Sequence, residues 1–243
     1  ESLMPKNIRI ATRKSPLALW QARRVSELLK NIDNSINIEL VKITTSGDKI
    51  LDKPLYDIGG KSLFLKELEQ ALLDNNCDIA VHSMKDMPAE LHEDLTISAI
   101  LEREDSRDVL ISKKYSSLSD FTNTSSIGTS SVRRICNIKY EYPNIRISDM
   151  RGNIDTRINK VLDGNMDGII LAAAGVIRLG LEKYITSYMD KKIWIPAIGQ
   201  GAIGIESRKN NKIINNIVGK LNHEQTKICV DAEREVSKFF EAS

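Results

Sequence analysis

The chain has 243 residues, 41% of them hydrophobic and 5% aromatic, and its 35 basic and 33 acidic residues leave a net charge of +2. This length favours one large or two modest domains, and the near balance of charge excludes a general attraction to nucleic acid or to a membrane surface. No apolar run reaches the roughly 18 residues of a membrane helix, and no signal-peptide pattern opens the chain, so we expect a soluble cytoplasmic protein.

Cysteine and histidine usage argues against cross-links and metals. The three cysteines are odd in number and far apart, which predicts reduced thiols. The three histidines lack the paired spacing of a zinc site, so we expect no metal.

The chain begins with a predicted strand, turn and helix. Ile8–Ala11 is a short apolar strand that leads to Arg13. Ser15 and the proline after it supply an N-cap and first turn for a helix extending to about Ile32. Arg13 lies at a strand end beside a helix N-terminus, so it is either solvated or part of an anion site. The apolar stripe of the helix is predicted at Leu17, Trp20, Val25 and Leu28.

A predicted strand at Ile36–Thr44 precedes a long loop, Thr45–Gly60, of a length that is more often functional than decorative. The letters GGKS at 59–62 resemble the end of a phosphate-binding loop. However, Leu55 stands where that motif requires glycine, so we exclude nucleotide binding. Ser62 is predicted to cap a helix over Leu63–Asp74.

The stretch CDIAVHSMKDMP, residues 77–88, joins an apolar strand at Asp78–Val81 to polar side chains. Ligands of α/β sheets bind at the carboxyl ends of strands, so these side chains are candidates for a site. The plainer interpretation is a Lys–Asp pair on a solvated turn. The polar residues are His82, Ser83, Lys85 and Asp86.

After a predicted strand at Leu95–Leu101, the charged run Glu102–Asp105 indicates a crossing between domains. A second series of elements starts at Asp108–Ser112, and three of its strands lead into helices with arginine at or near the N-terminus. The strands are Ile127-Gly128, Ile145–Ser148 and Gly168–Ala172, and the arginines are Arg133, Arg134, Arg151, Arg157 and Arg178.

These arginines oppose the helix dipole, which favours anions at helix N-termini. Any one of them could pair with a nearby acid such as Asp149 or Asp155. As a set, with the amides of Gly128–Ser131, they predict a polyanion site in which each charge-assisted bond contributes about 1.5–3 kcal/mol. The few aromatic residues argue against stacking on single-stranded nucleic acid.

The letters GQGAIG at 199–204 match a dinucleotide-binding fingerprint, but Pro196 precedes them and Ile203–Glu206 alternates as a strand does. We interpret this segment as a return crossing into the first domain's sheet. Helices are predicted at Asn211–Leu221 and Glu224–Glu241. The second helix has an apolar stripe that calls for a covering partner, at Ile228, Ala232, Val236 and Phe239.

From about Asn7 to the last residue, the sequence closely resembles the porphobilinogen deaminase (hydroxymethylbilane synthase) family. The segments are IRIATRKSPLALWQA, GGKSLFLKELE, DIAVHSMKDMP, EREDSRD, GTSSVRRICN, MRGNIDTR, LAAAGVIRLGL and PAIGQGAIGIE. Two positions depart from the family pattern, because Ser46 replaces a usual basic residue and Ser62 replaces a common glycine.

The resemblance implies an α/β fold of two domains like those of type II periplasmic binding proteins, around a cleft, followed by a small third α+β domain. The implied first domain is residues 1–102 with 200–221, and the second is 103–199. Residues 222–243 would be the first helix of the third domain, with the rest of it missing from the sequence.

The resemblance also implies a monomeric transferase of haem biosynthesis. It would join four porphobilinogen units head to tail into the linear tetrapyrrole hydroxymethylbilane, releasing ammonia and building on a dipyrromethane cofactor. Each pyrrole carries two carboxylates, so the growing chain is a polyanion. Asp86 would be the catalytic carboxylate, next to the cationic azafulvene that forms when porphobilinogen loses ammonia.

The family's motif positions assign further roles. Phe64 would pack on a pyrrole ring or be an ordinary core aromatic, and Lys61 and Gln200 would lie in site loops. The carboxylate-binding residues would be Arg13, Ser15, Ser83, Lys85, Thr129, Ser131, Arg133, Arg134, Arg151, Arg157 and Arg178.

In this family a cysteine holds the cofactor through a thioether, and its expected place is just after Ser243. Cys136 and Cys229 do not fall there. The chain as given is therefore expected to lack the covalent cofactor and to be inactive, whereas the full-length protein would be an enzyme. A non-catalytic module of the periplasmic type that binds polycarboxylates or oxyanions is the alternative. It gives no reason for Asp86 among the arginines.

Overall fold

A computed structural model describes residues 4–49 and 63–241 of the chain. The chain forms two compact units. Unit 1 comprises Glu1–Glu104 with Ala202–Ser243, and unit 2 comprises Asp105–Gly201. Whether the residues after 221 begin a separate domain stays a prediction.

Unit 1 is a five-stranded sheet with helices packed on it. The strand order is β2-β1-β3-β10-β4, with β1 parallel to β2 and β3, and β10 antiparallel to both β3 and β4. The strands are β1 Asn7–Arg13, β2 Asn37–Ile43, β3 Ile79–Ser83, β4 Leu95–Ile100 and β10 Ile203–Arg208. The helices are α1 Pro16–Ile32, α2 Ser46–Lys49, α3 Lys66–Leu73, α7 Lys212–Gly219 and α8 Glu224–Glu241.

Unit 2 repeats this arrangement with different residues. Its strand order is β7-β6-β8-β5-β9, in which β6 is parallel to β7 and β8, and β5 is antiparallel to β8 and β9. The strands are β5 Asp108–Ile111, β6 Ser126–Gly128, β7 Arg146–Ser148, β8 Gly168–Ala172 and β9 Ser187–Tyr188. The helices are α4 Val132–Glu141, α5 Ile154–Leu162 and α6 Ala173–Arg178.

The predicted return crossing is confirmed, because β10 enters the sheet of unit 1 between β3 and β4. Its apolar residues Ile203 and Ile205 join the core formed with α1 and α7. Side chains alternate between the two faces of a strand, so Gly204 and Glu206 lie on the opposite face. On β3 the same alternation places Ala80 and His82 on that second face, where Ala80 packs with the leucines of α3.

Helix α1 begins as predicted, since the Ser15 side chain accepts a hydrogen bond from the Ala18 amide. Its buried face differs from the predicted one by about one position. Val25 is buried as predicted, but Trp20 and Leu28 lie at the margin of the core. The residues that face the sheet are Gln21, Ala22, Val25 and Leu29.

The stretch at 77–88 also differs from its prediction. His82 and Ser83 belong to β3 rather than to a polar turn, and His82 is buried. The polar turn is the short 3₁₀ helix Met84–Asp86, which ends where the Met87 amide donates to the Met84 carbonyl. A buried histidine was misassigned because its partner, Glu206, lies 124 residues away along the chain.

Arg178 is not at a helix N-terminus. Helix α6 has only six residues, and Arg178 is the last of them. The helix stops there because Gly180 adopts a left-handed conformation with φ of +69°, while the Leu179 amide bonds back to Gly175. The predicted position of arginine in the first turn was therefore wrong for this helix.

Helix α8 has the predicted bounds but presents a different face to unit 1. Thr226 and Val230 are buried, and Arg103 forms a two-pronged ion pair with Glu233 at 2.6 and 3.0 Å. Docking through this polar face turns the predicted apolar stripe outward. The exposed residues are Ile228, Ala232, Val236 and Phe239.

No helix in residues 4–49 and 63–241 is long and apolar enough to cross a membrane. The same part of the chain holds no cluster of three or more histidine, cysteine, aspartate or glutamate side chains arranged for a metal ion.

Candidate active site

In unit 1, two candidate segments meet at one edge of the sheet. Strands β1 and β3 are parallel, with Ala11 opposite Ala80. Arg13, the last residue of β1, and the 84–86 turn therefore lie at the carboxyl ends of neighbouring strands. Asp86 is half-buried in that turn. Within the described ranges, its carboxylate has no recorded hydrogen bond or ion pair. Asp86 is thus a half-buried acid at the ligand-binding end of a sheet.

Ser83 and Lys85 flank the start of this turn, and both are half-buried. The Ser83 hydroxyl lies 3.1 Å from the Gln21 amide nitrogen and 3.3 Å from its amide oxygen. Gln21 is buried on α1, so this contact fixes the end of β3 against that helix. The structure therefore brings Ser83, Lys85 and Asp86 together, as the sequence predicted.

Arg13 has a partner that the sequence analysis missed. Its guanidinium forms an ion pair with Asp48 and lies 4.2 Å from the centre of the Phe64 ring. Burial raises the pKa of Asp48, but hydrogen bonds from Arg13 and Thr45 outweigh it and hold the pKa below its usual range. A side chain on Gly47 would come within 2.3 Å of Phe64, so glycine is required for this packing. Phe64 therefore packs against α2 and an arginine.

In unit 2, the predicted hydroxyls serve as local caps. The Ser131 hydroxyl accepts from the Arg134 amide at 3.4 Å, at the start of α4. The Thr129 hydroxyl accepts from the Ser131 amide at 3.2 Å, and Thr129 is buried. Ser15 has the corresponding capping role in unit 1. These contacts shape the turns, and carboxylate binding by the three hydroxyls stays a prediction.

A buried carboxylate, Asp108, gathers the double arginine of α4. Arg133 donates to it at 2.7 Å, and Arg134 donates through Nε at 3.2 Å and Nη2 at 3.0 Å. The Trp194 indole and the Gln200 amide add bonds at 2.8 and 2.9 Å. Burial raises the pKa of Asp108, but the two arginines outweigh it and hold the pKa far below its usual range.

Asp108 replaces the predicted partners of these arginines. The acids expected near them were Asp149 and Asp155, which are their neighbours in sequence, whereas Asp108 opens a buried strand 25 residues before Arg133. A charged residue at the head of the apolar run DVLI is the one signal that could have indicated it. Gln200 is likewise fully buried beside Asp108, and it also donates to the Ser106 carbonyl at 2.7 Å.

Arg157 lies near two other arginines of unit 2, Arg134 and Arg151, and near the acid Asp149. Burial lowers the pKa of Arg157 to about 10, with further lowering from the nearby charges of Arg134 and Arg151. Arg157 donates to the Gly152 carbonyl at 2.7 Å, and no ion pair with a carboxylate in the described ranges is recorded for it. Burial and the neighbouring arginines disfavour the charged form of Arg157, so a bound anion would stabilise that form.

Two other predicted positions have different outcomes. Arg178 donates to the Gly201 carbonyl at 2.7 Å and is half-buried. Lys61 lies outside the described residues, as does Ser62.

Comparison with solved structures identifies the fold. The methionine-binding protein MetQ gives a TM-score of 0.55 at 12% identity, covering 95% of this chain and 96% of that one. A putative methionine-binding lipoprotein from Bacillus subtilis subsp. subtilis gives 0.54 at 14% identity, covering 92% and 93%. At such identities the likeness extends to the fold alone, and it confirms two α/β units of the type II periplasmic-binding-protein kind.

Comparison of sequences identifies the family. Residues 8–216 match the family model described as porphobilinogen deaminase, dipyromethane cofactor binding domain. A porphobilinogen deaminase from Syntrophomonas wolfei subsp. wolfei is 49% identical over 229 residues, which cover 94% of this chain and 75% of that protein. The chain therefore belongs to the porphobilinogen deaminase family, whose members are transferases of tetrapyrrole biosynthesis.

Proposed function

We propose that the full-length protein joins four porphobilinogen units head to tail, releasing ammonia, and that Asp86 is its catalytic carboxylate. The observation that carries this proposal is the position of Asp86 and the absence of a hydrogen-bond partner for its carboxylate among the described residues. Asp86 is half-buried at the carboxyl end of β3, and no partner for it is recorded in the described ranges. A structural acid at such a place would be expected to have a donor.

The chemistry requires an acid of this kind. When porphobilinogen loses ammonia, the remaining pyrrole carries positive charge, and a fixed carboxylate stabilises that charge as it develops. The same carboxylate can take up a pyrrole proton and return it. Proton transfer by a positioned side chain contributes on the order of 10²–10⁴ in rate.

The arginines of unit 2 would bind the carboxylates of the pyrroles. Arg157 supports this role most directly, because its pKa is lowered to about 10 by burial and by neighbouring arginines, and a bound carboxylate would relieve both effects. Arg151 and Arg178 follow from the family's motif positions, as does Lys85 in unit 1. Each charge-assisted hydrogen bond would contribute about 1.5–3 kcal/mol.

The same cationic residues fit the dipyrromethane cofactor of the family, whose two pyrroles bear four carboxylates. When bound, the cofactor supplies the terminal pyrrole to which the first unit is added. Arg151 and Arg157 would hold its carboxylates, whereas the guanidinium of Arg134 is already bonded to Asp108. Asp86 would exchange protons with pyrrole nitrogen. The expected attachment cysteine, directly after Ser243, stays a prediction.

The test is Asp86→Asn in the full-length protein, with porphobilinogen consumption and ammonia release as readouts. The amide keeps the size of the side chain but cannot hold a negative charge, so we expect turnover to fall by on the order of 10²–10⁴. Asp94→Asn is the matched control, because the same change is made at a side chain that is 71% exposed.

Near-normal turnover in Asp86→Asn would refute the role of this carboxylate. Porphobilinogen binding without ammonia release by the wild-type protein would instead favour a module that only binds polycarboxylates.

A further inference from the structure

A buried cluster of three titratable side chains lies beside the turn that carries Asp86. His82 Nε2 is 2.9 Å from Glu206 Oε1, and Glu206 is fully buried. Glu69 on α3 is half-buried, and α3 packs against β10, which places this carboxyl group near Glu206. The three residues come from three elements, β3, β10 and α3, which meet on one face of the sheet in unit 1.

The second oxygen of Glu206 reveals what the cluster lacks. Oε2 is buried and receives no hydrogen bond from any group in the described ranges. Two ionised carboxylates in contact away from water repel each other, so one of them normally keeps a proton. A proton on Glu69 would supply the donor that Oε2 lacks, and it would remove the repulsion.

The surroundings favour this protonated state. Burial raises the pKa of Glu69, as does the charge of Glu206, while His82 and His92 act in the opposite direction. Arg208, farther along β10, donates to the carbonyls of Leu72 and Cys77 and lies 3.8 Å from Asp78. Among the described residues, the imidazole of His82 is bonded directly to Glu206.

The cluster is connected to the Asp86 turn by a short chain of contacts. His82 lies opposite Gly204 in the β3–β10 pairing. Two residues further along the chain, the Met84 amide donates to the Ala202 carbonyl at 2.9 Å. The Met84 side chain fills the space beside Gly204, since a Cβ atom added to Gly204 would lie 2.1 Å from the Met84 sulfur. The position of β3 against β10 thus determines where Lys85 and Asp86 begin.

We propose that Glu69 and Glu206 share one proton, and that this pair, through the Glu206–His82 hydrogen bond, acts as a positioning element for Asp86. While the proton is held, β3 and β10 stay locked at His82. When it is lost, two buried negative charges push α3 and β10 apart, and the turn after β3 shifts. The positioning role rests on the proposed function, whereas the shared proton does not.

Infrared spectroscopy of full-length protein with isotope-labelled glutamate tests whether the pair holds a proton. The wild type should show the carbonyl band of a neutral carboxylic acid, and this band should persist to a higher pH than the bands of the other glutamate side chains. Glu69→Gln should lose this band and keep the fold, because its amide donates to Glu206 permanently. Glu67→Gln is the matched control. Glu67 is two residues away, and hydrogen bonds from Ser46 outweigh burial and keep its pKa below the usual range.

Turnover of porphobilinogen tests the positioning. A misplacement of about 1 Å can cost on the order of 10²-fold in rate, so we expect wild-type kcat to fall roughly 10-fold to 100-fold as the band disappears, with KM little changed. Glu69→Gln should keep its kcat over the same pH range.

The outcomes separate the two proposals. Absence of the neutral band in the wild type, or its survival in Glu69→Gln, would overturn the shared proton. An alkaline fall in kcat that is the same in Glu69→Gln and the wild type would overturn the positioning role. No ammonia release by the wild type at any pH would count against the proposed function instead.

Discussion

The two sheets have the same pattern of strand directions, although the strand antiparallel to its neighbours is the last in unit 1 and the first in unit 2. In each sheet this strand carries one fully buried carboxylate: Glu206 on β10 and Asp108 on β5. Their surroundings differ sharply. Asp108 receives hydrogen bonds from Arg133, Arg134, Trp194 and Gln200, and the arginines outweigh burial and lower its pKa. Glu206 is bonded to one histidine and lies near a second acid, and one of its oxygens receives no hydrogen bond from a described residue.

Topology places a buried acid in each sheet but does not decide its charge. In unit 2 the acid is permanently ionised and holds two guanidinium groups in place. In unit 1 the buried acid lies near Glu69, whose pKa is raised by burial and by the charge of Glu206. One fold therefore supports a fixed ion cluster in one unit and a titratable cluster in the other.

The largest expected effect comes from breaking the fixed cluster. Asp108→Asn would leave Arg133 and Arg134 without a counter-ion in a buried place, and removing one partner of a buried ion pair costs about 3–5 kcal/mol. We expect urea unfolding of the full-length protein to reveal a loss of this size. Asp163→Asn, at an exposed helix end, should change stability little. Equal stability of both variants would mean that Asp108 is not the centre of the cluster.

A smaller effect is expected from the same chemical change in unit 1. In Glu206→Gln, the amide nitrogen can donate to Glu69 while the amide oxygen still accepts from His82. The net loss should therefore be about 1 kcal/mol, the value of one ordinary hydrogen bond. Urea unfolding measures it alongside Asp108→Asn. A loss as large as that of Asp108→Asn would remove the contrast between the units.

The smallest effect is a difference in pH dependence. Burial, together with the charge of Glu206, raises the pKa of Glu69 in the folded protein. The stability that this group contributes is therefore fully present below the pKa of an ordinary glutamate, and it is lost as pH rises through the pKa of Glu69 in the folded protein. Glu69→Gln should flatten this alkaline loss in unfolding curves. The pKa of Asp108 is lowered, so its contribution is lost in the opposite direction, as pH falls. A wild-type curve unchanged by Glu69→Gln would contradict the raised pKa.

Local patterns in the sequence predicted most of the elements and the return of β10 to the first sheet, because alternation and caps act over a few residues. The bounds of α8 were right, but its docked face was not. The apolar period fitted Ile228 and Phe239, whereas the Arg103–Glu233 pair selected another face. Arg178 was misplaced because the length of α6 depends on Gly180.

The site was predictable only in part. Motif positions placed Ser83, Lys85 and Asp86 in one polar turn; the structure has Lys85 and Asp86 in that turn and Ser83 at the end of β3. The partners of the charged residues were missed, since Arg13–Asp48 and Arg133–Asp108 join residues 35 and 25 positions apart. Such ion pairs leave no periodic trace in a sequence.

Gly204 has no side chain, and Met84 fills the space beside it. This packing of β10 against the turn after β3 affects the order in which the protein can fold as it is synthesised on the ribosome. Unit 2 is encoded between β4 and β10, so β3 and β4 emerge long before the strand that separates them. Unit 2 is continuous in sequence and can fold as it emerges, whereas the sheet of unit 1 must wait. The turn that carries Asp86 therefore takes its final form only after unit 2 has been synthesised.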